Sequence, residues 1–540
     1  MRYWNTLRHL KPVQVYGRLR FQWTRPRVDA GPAPARRAVT GWLPVVGRAP
    51  TLVGPTRFSL LHETHELVDT GWNDPSLSKL WRYHLHYFDD LTAVAAASRA
   101  SWHEALIARW VRENPPGAGT GWEPYPTSRR IVNWVKSEWQ GRPLDLCAVH
   151  SLAVQARWLA ARLEVHLLGN HLFANAKALV FAGLFFQGSE ATAWLKQGFG
   201  ILATEVPEQI LPDGGQFERS PMYHSLALED VLDLCNAAQS MTAVPAEGRC
   251  VFRACHRAIP SMGRWLAAMC HPDGEIGHFN DAAIGIAPAP AVLDAYARQL
   301  GFSAAQRDGA VTVLRDSGYI RVDQGDIVAL LDVGPVGPDY LPGHAHADTL
   351  SFELSAYGQR LLVNSGTSLY AAGAERLRQR STAAHNTVVL DGVDSSEVWS
   401  AFRVARRARP FGLEVTDGGA PLIRCAHDGY QRLPGRPVHR RAWYFEPGTL
   451  TVTDRIDGSF RTAQARFHLH PGVTADLVSD GTISLVLPRG RRLTMRVEGG
   501  TLRVEATTWH PEFGVTLPNS CVVVDFRCPS LRTTICWAVP

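Results

Sequence analysis

Four short stretches gather polar residues where packing alone would not ask for them. Gly169-Asn170-His171 precedes an apolar run that begins at Leu172. Residues Asp213 to His224 form a turn-rich loop containing Glu218-Arg219-Ser220-Pro221-Met222-Tyr223-His224. Gly343-His344-Ala345-His346-Ala347-Asp348 stands before the alternating run Leu350, Phe352, Leu354, Ala356. Ala384-His385-Asn386-Thr387 leads into Val388 to Leu390, and Asn364 lies between these last two stretches.

Each stretch has a structural reading and a chemical one. Asn at a helix start commonly caps the helix, and an uncapped amide there could instead hold a ligand oxygen. Tyr223 and His224 fall in the first turn of a predicted helix through Leu234, where the positive end of the helix dipole would favour a phenolate. On an extended chain His344 and His346 share a face about 7 Å apart, which suits two neighbouring sites better than one shared metal. His346, Asn364 and His385 come at the ends of successive predicted strands and could converge on a zinc-sized site. Asp213, Glu218, Glu275 and Asp281 could supply the paired acids of a glycoside hydrolase.

The elements that must position these residues are of two kinds. Trp102–Trp110, Arg129–Trp139, Leu152–Leu168, Leu172–Phe186, Leu226–Met241 and Met262–Cys270 carry apolar residues at three- and four-residue spacing, which predicts amphipathic helices. Near residue 310 the period changes to two. Val311–Leu314, Tyr319–Val322, Ile327–Asp332, Thr349–Ala356, Thr387–Leu390, Leu450–Asp454, Ala465–Leu469, Ile483–Leu487, Leu493–Val497 and Cys521–Phe526 read as strands. The expected fold class is multidomain α and β. An extended arm over 1–60 precedes a helical bundle or toroid over 61–310 and an antiparallel β-sandwich over 311–540, with the binding cleft between the last two.

Composition bounds the function. With 540 residues, 45% hydrophobic and 20% charged, the chain can bury a large core and is too long for one comfortable domain. The formal charge of +6 is too small for wholesale nucleic-acid binding and compatible with an acidic ligand in a local basic cleft. Only five of the 56 basic residues are lysines (Lys11, Lys79, Lys136, Lys177, Lys196); arginine is the better planar partner for carboxylate or sulfate. Nine cysteines without a C-x-x-C pair predict neither a zinc ribbon nor a disulfide framework. No apolar run reaches the roughly 18 residues of a membrane span. Arg2, Arg8, Lys11, Arg18, Arg20, Arg25 and Arg27 precede the first acid, Asp29, and their charges interrupt every candidate signal-peptide core.

Taken in order, the Asn-His, Glu-Arg-Ser-Pro-Met-Tyr-His, Gly-His-Ala-His and His-Asn-Thr stretches resemble those of the heparinase II/III-like polysaccharide lyases. The resemblance implies a helical (α/α) toroid with a C-terminal β-sandwich. It also implies β-elimination on a uronic-acid-containing acidic polysaccharide, leaving a 4,5-unsaturated product. It makes Asn170, His171, Tyr223 and His344 the catalytic set: the first two on the substrate carboxyl group, the others as base and acid, with the Tyr223 pKa lowered to suit. His346, Asn364 and His385 correspond to the places that hold one structural zinc ion, although an amide stands where a carboxylate is usual and is the poorer ligand. No organic cofactor is implied. Tyr83, His84, Trp122, Tyr125, Arg129, Arg130, Glu218, Arg219 and His224 are the implied substrate-binding residues. A monomer or homodimer in the periplasm or cell envelope is implied, with the cytoplasm as the alternative for a chain lacking a visible signal peptide. The competing readings are a toroidal glycoside hydrolase and a catalytically silent glycan-binding protein of exopolysaccharide assembly.

Overall fold

A computed structural model describes residues 1–39, 41–44, 47–241, 245–305 and 309–537. Helices dominate from Lys79 to Gln299, and antiparallel strands follow from Val311. The helices that matter for the site are Pro124–Trp139, Gly169–Phe185 and Pro221–Gln239. Gly169–Phe185 is buried along its length except at Asn170 and His171. It packs closely against Ser189–Gln209 through small residues: a Cβ at Gly198 would meet the Ala176 carbonyl at 2.8 Å, and one at Gly183 would meet Leu195 Cγ at 2.6 Å. Trp110 and Trp134 are fully enclosed among these helices.

Three larger antiparallel sheets and the short Val398–Trp399/Arg403–Val404 pairing build the described C-terminal half. Val311–Leu314, Tyr319–Gln324, Ile327–Asp332, Phe352–Ala356 and Gln359–Leu362 form a simple meander. An eight-stranded sheet runs from Pro410–Thr416 at one edge to Thr474–Ser479 at the other, and a four-stranded sheet carries Val388–Leu390 at its edge. Their inner faces share one apolar core that includes Phe352, Trp443, Phe467 and Val522. A smaller cluster of Trp265, Phe279, Tyr319 and Leu330 joins the helices to the meander. Arg321 reinforces that joint by donating to the Ala268 and Cys270 carbonyls at 3.2 and 2.5 Å.

The structure corrects three expectations. The first 23 residues are not extended but form the helices Arg2–Leu7 and Pro12–Trp23; the extended path begins after Trp23. The helix expected to run to Leu168 ends at Ala161, and Glu164 accepts from the Asn175 amide at 3.1 Å. His344 lies in a turn and His346 in the irregular segment after it, before the strand that starts at Phe352 and not on an extended strand face.

Candidate active site

Asn170 and His171 stand in the first turn of the Gly169–Phe185 helix. The cap position is Leu168, so Asn170 is not a cap. Its half-buried amide makes no hydrogen bond to another described residue. His171 Nδ1 lies 3.1 Å from Glu164 Oε1. Burial opposes protonation of His171, but the Glu164 carboxylate outweighs it and holds the imidazole above its ordinary pKa.

Tyr223 enters from the Pro221–Gln239 helix. Pro221 opens that helix and the Ser220 hydroxyl caps it by accepting from the Tyr223 N–H at 3.2 Å. The Tyr223 ring lies 4.0 Å from that of His344, and its hydroxyl is 3.0 Å from that of Tyr370. Burial, then the neighbouring Tyr370, pushes the Tyr223 pKa well above its ordinary value. The direction is opposite to the expected lowering: loss of water on burial outweighs the helix end and favours the neutral phenol.

His344 is fixed by Asp281, which accepts from its Nδ1 at 2.9 Å. That leaves Nε2 as the lone-pair nitrogen, 3.9 Å from Glu218 Oε2. Glu218 also approaches the start of the Asn170 helix, where a Cβ on Gly169 would lie 3.5 Å from its Oε1. Burial raises the Glu218 pKa. His171, Glu218, Tyr223 and His344 thus come together at the joint of the two halves, with Asn170 beside His171 in the same helical turn and Tyr370 on the sandwich side.

Asp281 is the hub. Its carboxylate accepts from Arg376 through both terminal nitrogens, from His344, and from His346 Nε2 at 2.9 Å. Burial alone would raise its pKa; Arg376 and the two imidazoles hold it well below the carboxylate range. The two histidines expected to serve separate sites share this one carboxylate. Asp281 is consequently not free to act as a hydrolase acid, and Asp213 is bound by Ser317 and Gly215. Tyr370 and Arg376 were not legible in the sequence, because 147 residues separate Tyr370 from Tyr223 and no periodic pattern marks its loop.

Four of the expected substrate-binding residues form a ladder away from His171. Tyr125 stacks on His171 at 4.6 Å and meets Tyr87 at 5.9 Å; His84 and Tyr83 touch Tyr87 at 4.9 and 6.4 Å, and Arg129 lies over the same ring. Glu218 stands in the site beside His344, and the other four belong to the framework. Arg130 is fully buried and donates to Gln155 and the His86 carbonyl. Trp122 is enclosed and donates to the Asn114 carbonyl. His224 bonds the Met262 carbonyl and accepts from the Gln216 N–H. Arg219 spans the joint to the Ser317 carbonyl. Their polarity answers buried backbone groups, which spacing in a sequence does not distinguish from a ligand's needs.

The expected metal ligands come together only in part. His346 Nδ1 and His385 Nε2 are 3.1 Å apart. The outer nitrogens face obligate acceptors: Ser381 O is 2.7 Å from His385 Nδ1, and Asp281 lies against His346 Nε2. Both outer positions must therefore carry protons, and two neutral rings then aim their inner lone pairs at one point. Burial lowers the pKa of His346 to about 4 and that of His385 as well, which disfavours a proton between them. A second buried pair differs: Gly429 N–H donates to His427 Nδ1, so protons run in one direction through His427 and His439 to Asp454. Two convergent imidazoles with fixed outer partners suit zinc. Asn364 does not complete the set, because its Oδ1 accepts from the Asn386 N–H at 3.1 Å. Among the described residues no group of three or more His, Cys, Asp or Glu could hold a metal.

A helical half thus precedes an antiparallel sandwich, and Tyr223 of the first meets His344 of the second. Residues 72–297 match the heparinase II/III N-terminus model and residues 306–538 the heparinase II/III-like C-terminal model, so the chain belongs to the heparinase II/III-like family. It is 25% identical over 368 residues to the heparin-sulfate lyase of Bacteroides stercoris, covering 62% of this chain and 52% of that protein. It is 27% identical over 456 residues to FtsZ-localized protein C of Caulobacter vibrioides, covering 76% and 73%. The chain spans about half the length of the curated heparin-sulfate lyases it matches. The crystal structure of heparinase III superposes with a TM-score of 0.69 at 19% identity over 87% of this chain and 79% of that one. Heparan sulfate lyase HepC from Pedobacter heparinus, as the crystallised mutant, gives 0.62 at 18% identity over 98% and 88%. The α/α toroid with a β-sandwich is thereby shown.

Proposed function

We propose that the protein is a polysaccharide lyase that cleaves a uronic-acid-containing anionic glycan by β-elimination, heparan-type chains being the first candidates. The observation that carries this reading is the Tyr223–His344 pair, a protonated phenol beside an imidazole whose lone-pair nitrogen is set by Asp281. The proton at C5 of a uronate is a weak acid while the carboxylate is charged. Asn170 and His171, whose charged form the Glu164 carboxylate favours, would hydrogen-bond that carboxylate and stabilise the enolate-like intermediate. His344 Nε2 takes the C5 proton; the Tyr223 hydroxyl delivers a proton to the departing C4 oxygen, and the C4–C5 double bond forms. The aromatic ladder to Tyr83 and the Arg129 cation supply the bed for neighbouring sugars.

Two of the four candidate hydrolase acids, Asp281 and Asp213, are committed to protein partners, which leaves Glu218 and Glu275 as the pair a hydrolase would have to use. The non-catalytic reading draws on the relative named for localisation with FtsZ rather than for a reaction. A panel of uronic-acid polymers, followed by ultraviolet absorbance of the conjugated product, separates them. New absorbance supports the lyase; reducing ends without it support hydrolysis; binding without either supports the silent module.

One structural zinc ion at His346 and His385 is part of this proposal, supported by the proton count between the rings. When bound it would fix the loop that carries His344; no chemical step depends on it. Elemental analysis of protein purified without added metal is expected to find zinc at one per chain, and none in His385→Ala. Metal-free wild-type protein would assign the gap between the rings to a shared proton. The family resemblance favours a periplasmic or envelope location, and no helix among the described residues is long and apolar enough to cross a membrane.

A further inference from the structure

The two N-terminal helices are inside out. In Arg2–Leu7 the buried residues are Asn5 and Thr6, whereas Tyr3, Trp4 and Leu7 are exposed. In Pro12–Trp23 the buried residues are Gln14 and Gly17, while Tyr16, Leu19 and Trp23 recur at i, i+3 and i+7 on the solvent side with Val15 beside them. Trp23 is 80% and Tyr16 59% exposed. An amphipathic helix on a globular protein ordinarily turns its apolar stripe inward, and a contiguous apolar stripe left outside marks an interaction surface.

The orientation is held in place. Lys11 pairs with Glu208 at 2.8 Å, and Gln14 donates to the Tyr340 carbonyl at 3.1 Å. A Cβ at Gly17 would meet Val165 Cγ2 at 3.2 Å, so the helix sits close on the loop beneath it. Arg162 donates to the Phe21 carbonyl at 3.0 Å and caps the C-terminal end at Thr24. Trp399 donates to Thr6 Oγ1 at 3.1 Å, which fastens the first helix to the sandwich half. Rotation of the stripe into the core would break these bonds.

Charge selects the occupant. Arg18 and Arg20 lie on the helix to either side of the stripe, Arg25 and Arg27 follow it, and all four are exposed. No acid occurs before Asp29. A second copy of this chain would bring the same cations against themselves. Exposed Leu and Val side chains flanked by Trp, Tyr and Arg are the composition of a helix lying in a bilayer interface, with its apolar face among the acyl chains and its cations at anionic headgroups. We infer that the N-terminal helices form a peripheral docking surface for an anionic lipid bilayer, with Tyr16, Leu19 and Trp23 as the inserted residues.

The test is co-sedimentation of the full chain with vesicles of phosphatidylcholine alone or mixed with phosphatidylglycerol, at low and high salt. Pelleting with the anionic vesicles only, weakening with salt, is expected; Tyr16→Ser/Leu19→Ser/Trp23→Ser should lower the bound fraction at least about tenfold with an unchanged melting midpoint. Wild-type protein that stays in solution with anionic vesicles at low salt overturns the inference, as does a triple variant that pellets equally well. A wild-type dimer that the triple variant dissociates, without vesicle binding by either, would assign the stripe to a second copy and likewise overturn it. So would loss of acidic-polysaccharide binding in the variant with vesicle binding intact.

Discussion

Asn170 is where function and stability separate most cleanly at the scale of single residues. Its amide bonds no other described side chain although it sits in a helix buried along its length from Leu172 onward. Asn170→Ala is expected to lower kcat/KM on a uronate polymer by about 10²–10³-fold, the loss typical of one oxyanion-stabilising donor, and to leave the urea midpoint unchanged within error. A matching loss of stability would place Asn170 in the framework instead. Sequence order alone brought Asn170, His171, Tyr223 and His344 forward; the structure pairs Tyr223 with His344 and sets Asn170 beside His171 in one helical turn. It could not tell them from Arg130, His224 and Arg219, since a buried backbone carbonyl and a sugar oxygen ask for the same donors. Nor could it see that burial outweighs the helix end at Tyr223.

The sandwich strands show how a buried ionic chain supports the site from a distance at the scale of elements. Arg441 on Val438–Glu446 pairs with Asp454 on Thr449–Asp457 at 2.7 and 3.0 Å, and also donates to the Leu350 and Asn386 carbonyls, which flank the His346 and His385 loops. Burial would raise Asp454, but Arg441 and His439 lower its pKa to about 2. Since the folded value lies below the unfolded one, this stability is complete above about pH 4 and is lost as pH falls toward 2, roughly 2 kcal/mol in all. Asp454→Asn should cost about 3–5 kcal/mol at pH 7 by leaving Arg441 buried without its charge partner, and the gap from wild type should narrow below pH 4. Equal urea midpoints at pH 7 would refute the strut. The same chain explains why this strand was not legible: its inward positions are His439, Arg441 and Trp443, so apolar alternation is broken. Pro410–Thr416 and Thr474–Ser479 were missed for another reason, being edge strands exposed along most of their length. Ile327–Asp332, an interior strand buried on both faces, was read to the residue, whereas its neighbour Tyr319–Gln324 runs two residues past the expected end into half-buried polar positions.

Across the whole molecule the change from helical to alternating period near residue 310 was the most legible feature, because each half buries its own core. The N-terminal helices were the least legible, since their apolar stripe faces outward and mimics an irregular arm. Many histidines are enclosed in both halves and held neutral. Burial lowers His224 and His468 to about 3 and His278 to about 4. Their folded values lie below the unfolded value of about 6.5, so the unfolded chain binds the extra protons and stability falls as pH drops below it. These three alone should remove roughly 4 kcal/mol per pH unit between about pH 6 and pH 4.5. Urea midpoints measured at half-unit steps should decline steeply over that range, and a flat profile would contradict the burial of these rings. The central claim is elimination at the joint of the two halves. Purified wild-type protein and Tyr223→Phe, incubated with heparan sulfate, should differ in one reading: wild type develops the ultraviolet absorbance of a 4,5-unsaturated uronate and the variant does not, at equal melting midpoints. Equal absorbance from both proteins, or reducing ends released by wild type without any absorbance, would contradict the account.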